Sequence, residues 1–188
     1  MAQSQMKTLL VDHTAGVLTI TLNRPEVRNA MSMDMVGELT DVLGGAEADP
    51  TVRVVVVRGN GGHFCAGGDI GDMAQARMKM AAGDKDAMAD VNARFGRLCL
   101  TYARSSLPII TVLKNSVMGG GFGLACVSDV TLAMDNVVFR LPETALGVVL
   151  VQIASFLVER IGYAEAKRLA VTGGKVEATE ALAIRLVH

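Results

Sequence analysis

His63-Phe64-Cys65-Ala66-Gly67-Gly68-Asp69-Ile70 follows the most apolar run of the chain, Val52-Arg53-Val54-Val55-Val56-Val57-Arg58, across a glycine-rich junction, Gly59-Asn60-Gly61-Gly62. The Val52–Val57 run lacks apolar/polar alternation, which predicts a strand buried on both faces, as in a parallel sheet covered by helices. A buried strand that ends in an open glycine loop and then enters a helix presents unpaired N–H groups at its tip. A second such place is Met118-Gly119-Gly120-Gly121-Phe122-Gly123. Either loop alone reads as a turn. Two of them facing each other can hold one carbonyl oxygen between two N–H donors, which suits an oxygen that gains negative charge during reaction.

Outward from this stretch, the pattern is α/β. Val17-Leu18-Thr19-Ile20-Thr21-Leu22 alternates like a half-buried strand, and His13–Gly16 predicts a hairpin turn to a partner over Thr8–Val11. Asn23-Arg24-Pro25-Glu26 closes that strand. Ser32 is a candidate N-cap for a helix with the stripe Met35, Leu39, Val42, Leu43 and Ala46, ending near Gly44-Gly45 or Asp49-Pro50. A short helix is expected over Asp69–Met73 and a long one over Asp84–Arg104. Met73, Met78, Met80 and Met88 between them read as a surface helix with its methionines toward the core, or as an adaptable cover for an apolar ligand. Ile109–Leu113 is a strand, the triple glycine opens a helix, and Val130–Ala133 and Val137–Phe139 read as strands joined by a turn at Asp135-Asn136. Helices are expected over Gln152–Ile161, Ala164–Thr172 and Thr179–Leu186.

The bulk numbers remove several classes of function. A chain of 188 residues, 51% hydrophobic, is long enough for one domain with a sizeable core. With 18 basic and 19 acidic residues, its net charge of −1 gives no electrostatic footprint for nucleic acid or an anionic membrane surface. The absence of Trp and the scarcity of Tyr and Phe argue against base stacking. Three separated cysteines, Cys65, Cys99 and Cys126, fit neither a disulfide framework nor a zinc site, and a reducing, cytoplasmic setting is expected. Met1–Lys7 is polar and lacks the plan of a signal peptide. His13, His63 and His188 do not form a ligand set, so no metal is expected. The phosphate-binding GxxxxGK[ST] pattern is absent, and no GxGxxG follows the first strand.

Four blocks, in order, resemble the crotonase (enoyl-CoA hydratase/isomerase) superfamily. They are Asn23-Arg24-Pro25 with Arg28-Asn29-Ala30; Phe64-Cys65-Ala66-Gly67-Gly68-Asp69-Ile70; Met118–Gly123 followed by Cys126-Val127-Ser128-Asp129; and Phe139-Arg140-Leu141-Pro142-Glu143 with Leu146-Gly147. The resemblance implies a single α/β domain over residues 1–188, a spiral of ββα units with a buried sheet, assembled as a homotrimer or hexamer. It implies an acyl-coenzyme A thioester as substrate, with no separate cofactor. The thioester carbonyl would lie between the N–H groups of Ala66 and Gly120. Ala66, Gly67, Gly68, Asp69 and Ile70 would line the adenine and pantetheine path, with Arg28 near the phosphates, and the methionine-rich segment would border the acyl pocket. Asp69 also suits the start of its helix.

Hydratases of the family usually carry two glutamates. Glu143 matches one, and Gly123 stands at the place of the other. Two carboxylates suit the addition of water, because one activates it and the other delivers a proton to the α-carbon. The remaining Glu143 supports three readings: hydration by one carboxylate, double-bond isomerisation, or an inactive CoA-binding or assembly subunit. Phe122–Asp129, Gln152–Ala154 and Ala170–Gly174 look most like the methylglutaconyl- and isohexenylglutaconyl-CoA hydratase branch. Departures are Leu150-Val151 where the family has Pro-Gly, Asn115-Ser116 for Asn-Gly, and an end at His188 that leaves out the family's C-terminal trimerisation helices.

Overall fold

The structure, a computed structural model, describes residues 6–188. Residues 1–5, read above as part of a polar N-terminus, lie outside the described residues. Strands β1 (Leu9–Thr14) and β2 (Val17–Leu22) pair antiparallel. Ala15 and Gly16 both turn through positive φ, 52° and 83°, the two-residue geometry whose twist matches the flanking strands. Helix α1 (Met33–Glu47) starts where Ser32 Oγ accepts the Met35 N–H, and it runs through Gly44-Gly45 rather than stopping there. Strand β3 (Val54–Gly59) follows, then α2 (Ile70–Ala81), α3 (Ala87–Ala103) and β4 (Ile109–Leu113). Beyond these come β5 (Ser116–Met118), α4 (Gly120–Val127), β6 (Val130–Ala133) and β7 (Val138–Arg140). The chain closes with α5 (Ala154–Thr172), β8 (Val176–Glu177) and α6 (Ala178–Ala183).

The strands form two sheets, ordered β1-β2-β3-β4-β6 and β5-β7-β8. From β2 to β6 the first sheet is parallel. The expected β6–β7 hairpin does not form. Only Lys114-Asn115 separates β4 from β5, and that corner sends the chain from one sheet into the other, with Asn115 at φ 49°. The next turn repeats the corner, its Met134 N–H bonded to Leu113 O and its Val138 N–H to Asn115 O. Each turn therefore pairs with the preceding turn and not with itself.

The expectation that β3 is buried on both faces also fails. Val55 and Val57 are fully buried in one cluster with Leu39, Leu43 and Leu98, whereas Val54 and Val56 are half-buried and Arg58 is exposed. The helices cover one face of the sheet. The valines on the other face satisfy the preference of β-branched residues for strands rather than a second layer. Helix α2 is also longer than expected and carries Met78 and Met80 exposed to solvent. Ala76 is its only buried residue. Gly162 (φ 78°) breaks α5 into the two expected pieces. At the far end, the His188 N–H donates to Thr131 O, and the Thr131 N–H donates to His188 Nδ1.

The early Asn-Arg-Pro and Arg-Asn-Ala block is structural. Asn29 is fully buried at φ 55°. Its Oδ1 accepts the Arg24 N–H at 2.9 Å, and its Nδ2 donates to Asn60 O at 2.9 Å and His63 O at 2.8 Å. One carboxamide thus ties the turn after β2 to both ends of the glycine junction after β3. Asn29→Ala leaves three backbone groups without partners and will cost about 3 kcal/mol, read as a lower denaturation midpoint in urea.

Candidate active site

The two glycine loops meet face to face. After β3 the chain runs beside β5: the Cys65 N–H bonds to Ser116 O and the Met118 N–H to Cys65 O, both at 3.0 Å. This packing brings the triple-glycine segment close against the first loop and leaves no room for a side chain at Gly121. A Cβ on Gly121 would stand 2.6 Å from Cys65 Cβ, and one on Gly119 would stand 3.5 Å from Gly67 Cα. Gly119 adopts φ 48°, ψ −114°, a turn open to glycine, and so aims the start of α4 at the first loop.

The donor in the first loop is not the one expected. The Ala66 N–H is taken by Arg28 O at 3.0 Å, and Ala66 is not part of the pocket wall. Two residues on, Met31 spans the loop: its N–H bonds to Gly67 O and its carbonyl accepts the Asp69 N–H. In such a parallel bridge the residue between the two bonded neighbours turns its own N–H and C=O to the other side. That residue is Gly68, whose N–H has no partner among the described residues and which lines the pocket. The Gly120 N–H, in the first turn of α4, lacks an acceptor four residues back, and Gly120 lines the same pocket. The free donors are therefore Gly68 and Gly120. Sequence spacing pointed to the right loop, but the backbone pairing of Met31 selects the residue.

Glu143 leaves β7 through Leu141-Pro142 and reaches the pocket beside Gly119, where its Oε1 lies 3.0 Å from the position a Gly119 Cβ would take. Its Oε2 is buried with no hydrogen-bond partner among the described residues. Burial raises the carboxyl's pKa above its ordinary value and favours the protonated form. Two other carboxylates on the wall are committed. Asp69 pairs with Arg24 at 2.8 Å and accepts the N–H groups of Gly71 and Asp72 at the start of α2. Burial pushes the Asp69 pKa up, but these hydrogen bonds outweigh it and hold the carboxyl below its usual range. Asp72 accepts the Met33 N–H at 2.6 Å at the start of α1.

Gly123 is buried, and the space beside it is full. A Cβ there would lie 2.5 Å from Ile153 Cγ2 and 3.2 Å from Phe95 Cζ. The place of a second glutamate is an apolar wall, and Met31, Met33, Met73 and Val148 continue it. Val151 lies on the rim, 66% exposed. Of the other residues expected near coenzyme A, Arg28 is exposed and Ile70 is 86% exposed. Neither lines the pocket. Burial pushes the Cys65 thiol up to about 11, which leaves it protonated and poorly nucleophilic. No group of three or more His, Cys, Asp or Glu among the described residues could hold a metal ion.

Two converging backbone donors beside a desolvated carboxyl, on a two-sheet α/β spiral, define the crotonase class of fold. Residues 12–188 match the family described as enoyl-CoA hydratase/isomerase, and the chain belongs to that family. A solved structure of Pseudomonas aeruginosa AtuE superposes with a TM-score of 0.92 at 50% identity, over 97% of this chain and 69% of that one. Among curated proteins, 3-hydroxyisobutyryl-CoA hydrolase 1 of Arabidopsis thaliana is 32% identical over 98% of this chain and 47% of its own length. The 2,3-dehydroadipyl-CoA hydratase of Escherichia coli is 31% identical over 97% of this chain and 68% of its own. The chain thus spans about half the length of the hydrolase and two thirds of that of the hydratase.

Proposed function

We propose that this protein is an acyl-CoA hydratase that adds water across the double bond of an enoyl-CoA thioester with a branched or glutaconyl-type acyl chain. The observation that carries the reading is the single free carboxyl, Glu143, set beside two unpaired glycine N–H groups. The N–H groups of Gly68 and Gly120 polarise the thioester oxygen and hold the enolate. Each such donor is worth about 3–4 kcal/mol in the transition state. Glu143, whose burial favours the protonated form, gives a proton to the α-carbon as water adds to the β-carbon, and takes up the proton that the water releases. The substrate carries its own coenzyme A, and no further cofactor enters the reaction. The resemblance of Phe122–Asp129, Gln152–Ala154 and Ala170–Gly174 to the methylglutaconyl- and isohexenylglutaconyl-CoA hydratase branch supports the branched, glutaconyl-type acyl chain. The exposed Leu146, Val149 and Val151 are apolar surface that self-association would cover, in keeping with the trimer or hexamer that the family resemblance implies.

The closed seat at Gly123 favours a second reading, double-bond isomerisation, which needs one proton shuttle and no activated water. Incubation with a 2-enoyl-CoA and a 3-enoyl-CoA separates the two. Hydration is expected to give a 3-hydroxyacyl-CoA from the first. Migration of the double bond in the second without water uptake would replace the hydratase reading. Release of free coenzyme A from a 3-hydroxyacyl-CoA would instead place the protein with its hydrolase relatives.

The assignment of donors has its own measurement. In a backbone-labelled protein titrated with a saturated acyl-CoA, the amide resonances of Gly68 and Gly120 will shift most, and Ala66 will stay with Arg28. A dominant shift at Ala66 with Gly68 unmoved would restore the expectation drawn from the sequence.

A further inference from the structure

Helix α3 has a notch in its pocket-facing side. A Cβ on Gly96 would stand 2.0 Å from Gln152 Oε1 and 2.9 Å from Gln152 Cδ. The carboxamide of Gln152 therefore occupies the space where any other residue at position 96 would put its side chain. Asn92 lies one helical turn earlier on the same face of α3 and lines the pocket together with Gln152. Neither carboxamide has a hydrogen-bond partner among the described residues. The other polar side chains of the wall are accounted for: Asp69 by Arg24, Asp72 by the Met33 N–H, and Glu143 by the chemistry. The rest of the wall is largely methionine, valine, isoleucine and phenylalanine, and no Lys or Arg lines it.

An uncommitted carboxamide in an apolar pocket loses its water when a ligand enters. It then costs binding energy unless the ligand supplies a partner. A pocket built only for hydrocarbon would do better with leucine or methionine at both places. We propose that Asn92 and Gln152 read an oxygen on the acyl chain, beyond the reacting carbons, by donating N–H hydrogen bonds to it. The substrate class is thus an oxygen-bearing acyl-CoA rather than a plain fatty acyl-CoA. This rests on the acyl-CoA reading above. Recognition works by hydrogen bonding, because no cation lines the pocket to meet a charge. The shared chemistry is an acceptor oxygen, from either a hydroxyl or a carboxylate.

The test uses the protein as it stands and three six-carbon saturated thioesters, hexanoyl-CoA, 6-hydroxyhexanoyl-CoA and adipoyl-CoA, with dissociation constants from titration calorimetry. At least one oxygen-bearing thioester is expected to bind about tenfold or more tightly than hexanoyl-CoA, and which one it is identifies the source of the oxygen. Gln152→Leu and Asn92→Leu will each bring that ratio toward one. Gly96→Ala supplies a variant that keeps both Asn92 and Gln152 in the sequence. Alanine favours the helix by about 1 kcal/mol over glycine, so the melting temperature should hold or rise. Yet the new methyl group displaces Gln152, and the ratio should fall as in Gln152→Leu. Equal binding of all three thioesters by the unaltered protein, or a ratio that survives all three substitutions, overturns the proposal while leaving the acyl-CoA reading in place. A protein that binds none of the three loses both.

Discussion

Glu143→Gln will abolish turnover and raise the melting temperature of the protein. The loss follows from the position of the carboxyl beside Gly119, with Oε2 buried and unpartnered. A residue that moves a proton in the transition state is worth about 10²–10⁴ in rate, and an amide of the same shape cannot take its place. The gain in stability has the same origin. A desolvated carboxyl binds its proton more tightly in the folded protein than in the unfolded chain, where its value is the ordinary 4.5. As pH rises through the window from that value to the raised folded one, the unfolded state gives up its proton first and stability falls. Above the window the deficit is constant, and below it the deficit vanishes. Glutamine has no such proton, so the variant's advantage in thermal melts should be absent well below pH 4.5, grow as pH rises, and level off only above the raised folded value. Undiminished turnover in Glu143→Gln would remove this residue from the chemistry. An advantage of equal size in strong acid would show that burial of charge is not its cause.

The second large effect concerns Gly123. Restoring the glutamate that hydratases of the family usually carry there will not strengthen hydration, and it will destabilise the fold. The first added carbon would already stand 2.5 Å from Ile153 Cγ2, in a fully buried helix. Overpacking of this kind costs about 1–3 kcal/mol, and an unpaired carboxylate buried beside Phe95 and Ile153 adds to it. Gly123→Glu should therefore accumulate poorly or unfold at a much lower urea concentration. The paired variant Gly123→Glu/Ile153→Ala opens the seat and should recover part of that loss. A single Gly123→Glu variant as stable as the parent and faster in hydration would mean that Ile153 moves aside freely.

The fold was largely legible in the sequence because its blocks are backbone signals. Ala15-Gly16 needs positive φ for its hairpin, Ser32 and Asp69 cap helices, and the triple glycine starts α4 close against Cys65. What escaped was pairing at a distance. Val130–Ala133 and Val138–Arg140 look like a hairpin locally, and nothing within those residues says that each prefers a strand of the preceding turn. The valines of β3 look buried on both faces because β-branched residues suit a strand whether or not a helix covers them. The site followed the same division. Glu143 and Gly120 could be read from their blocks, and both line the pocket. The choice between Ala66 and Gly68 could not, because it depends on Met31, more than thirty residues upstream. Nor could the wall at Gly123, which Phe95 of α3 and Ile153, at the N-cap of α5, build from distant parts of the chain. The short distance from Gly96 to Gln152 has no sequence signal beyond a glycine placed, at some cost, within a helix.

The corners between the two sheets bear on how the molecule is made. Because β3 pairs with β2, β4 with β3 and β6 with β4, each segment emerging from the ribosome finds its partner strand already synthesised. In chain order the hairpin can close first, the Gly68 loop can pair once β5 is made, and Glu143 follows β7, which pairs with β5. The pairing thus lets assembly follow the order of translation, with the loops of Gly68 and Gly120 laid down before Glu143.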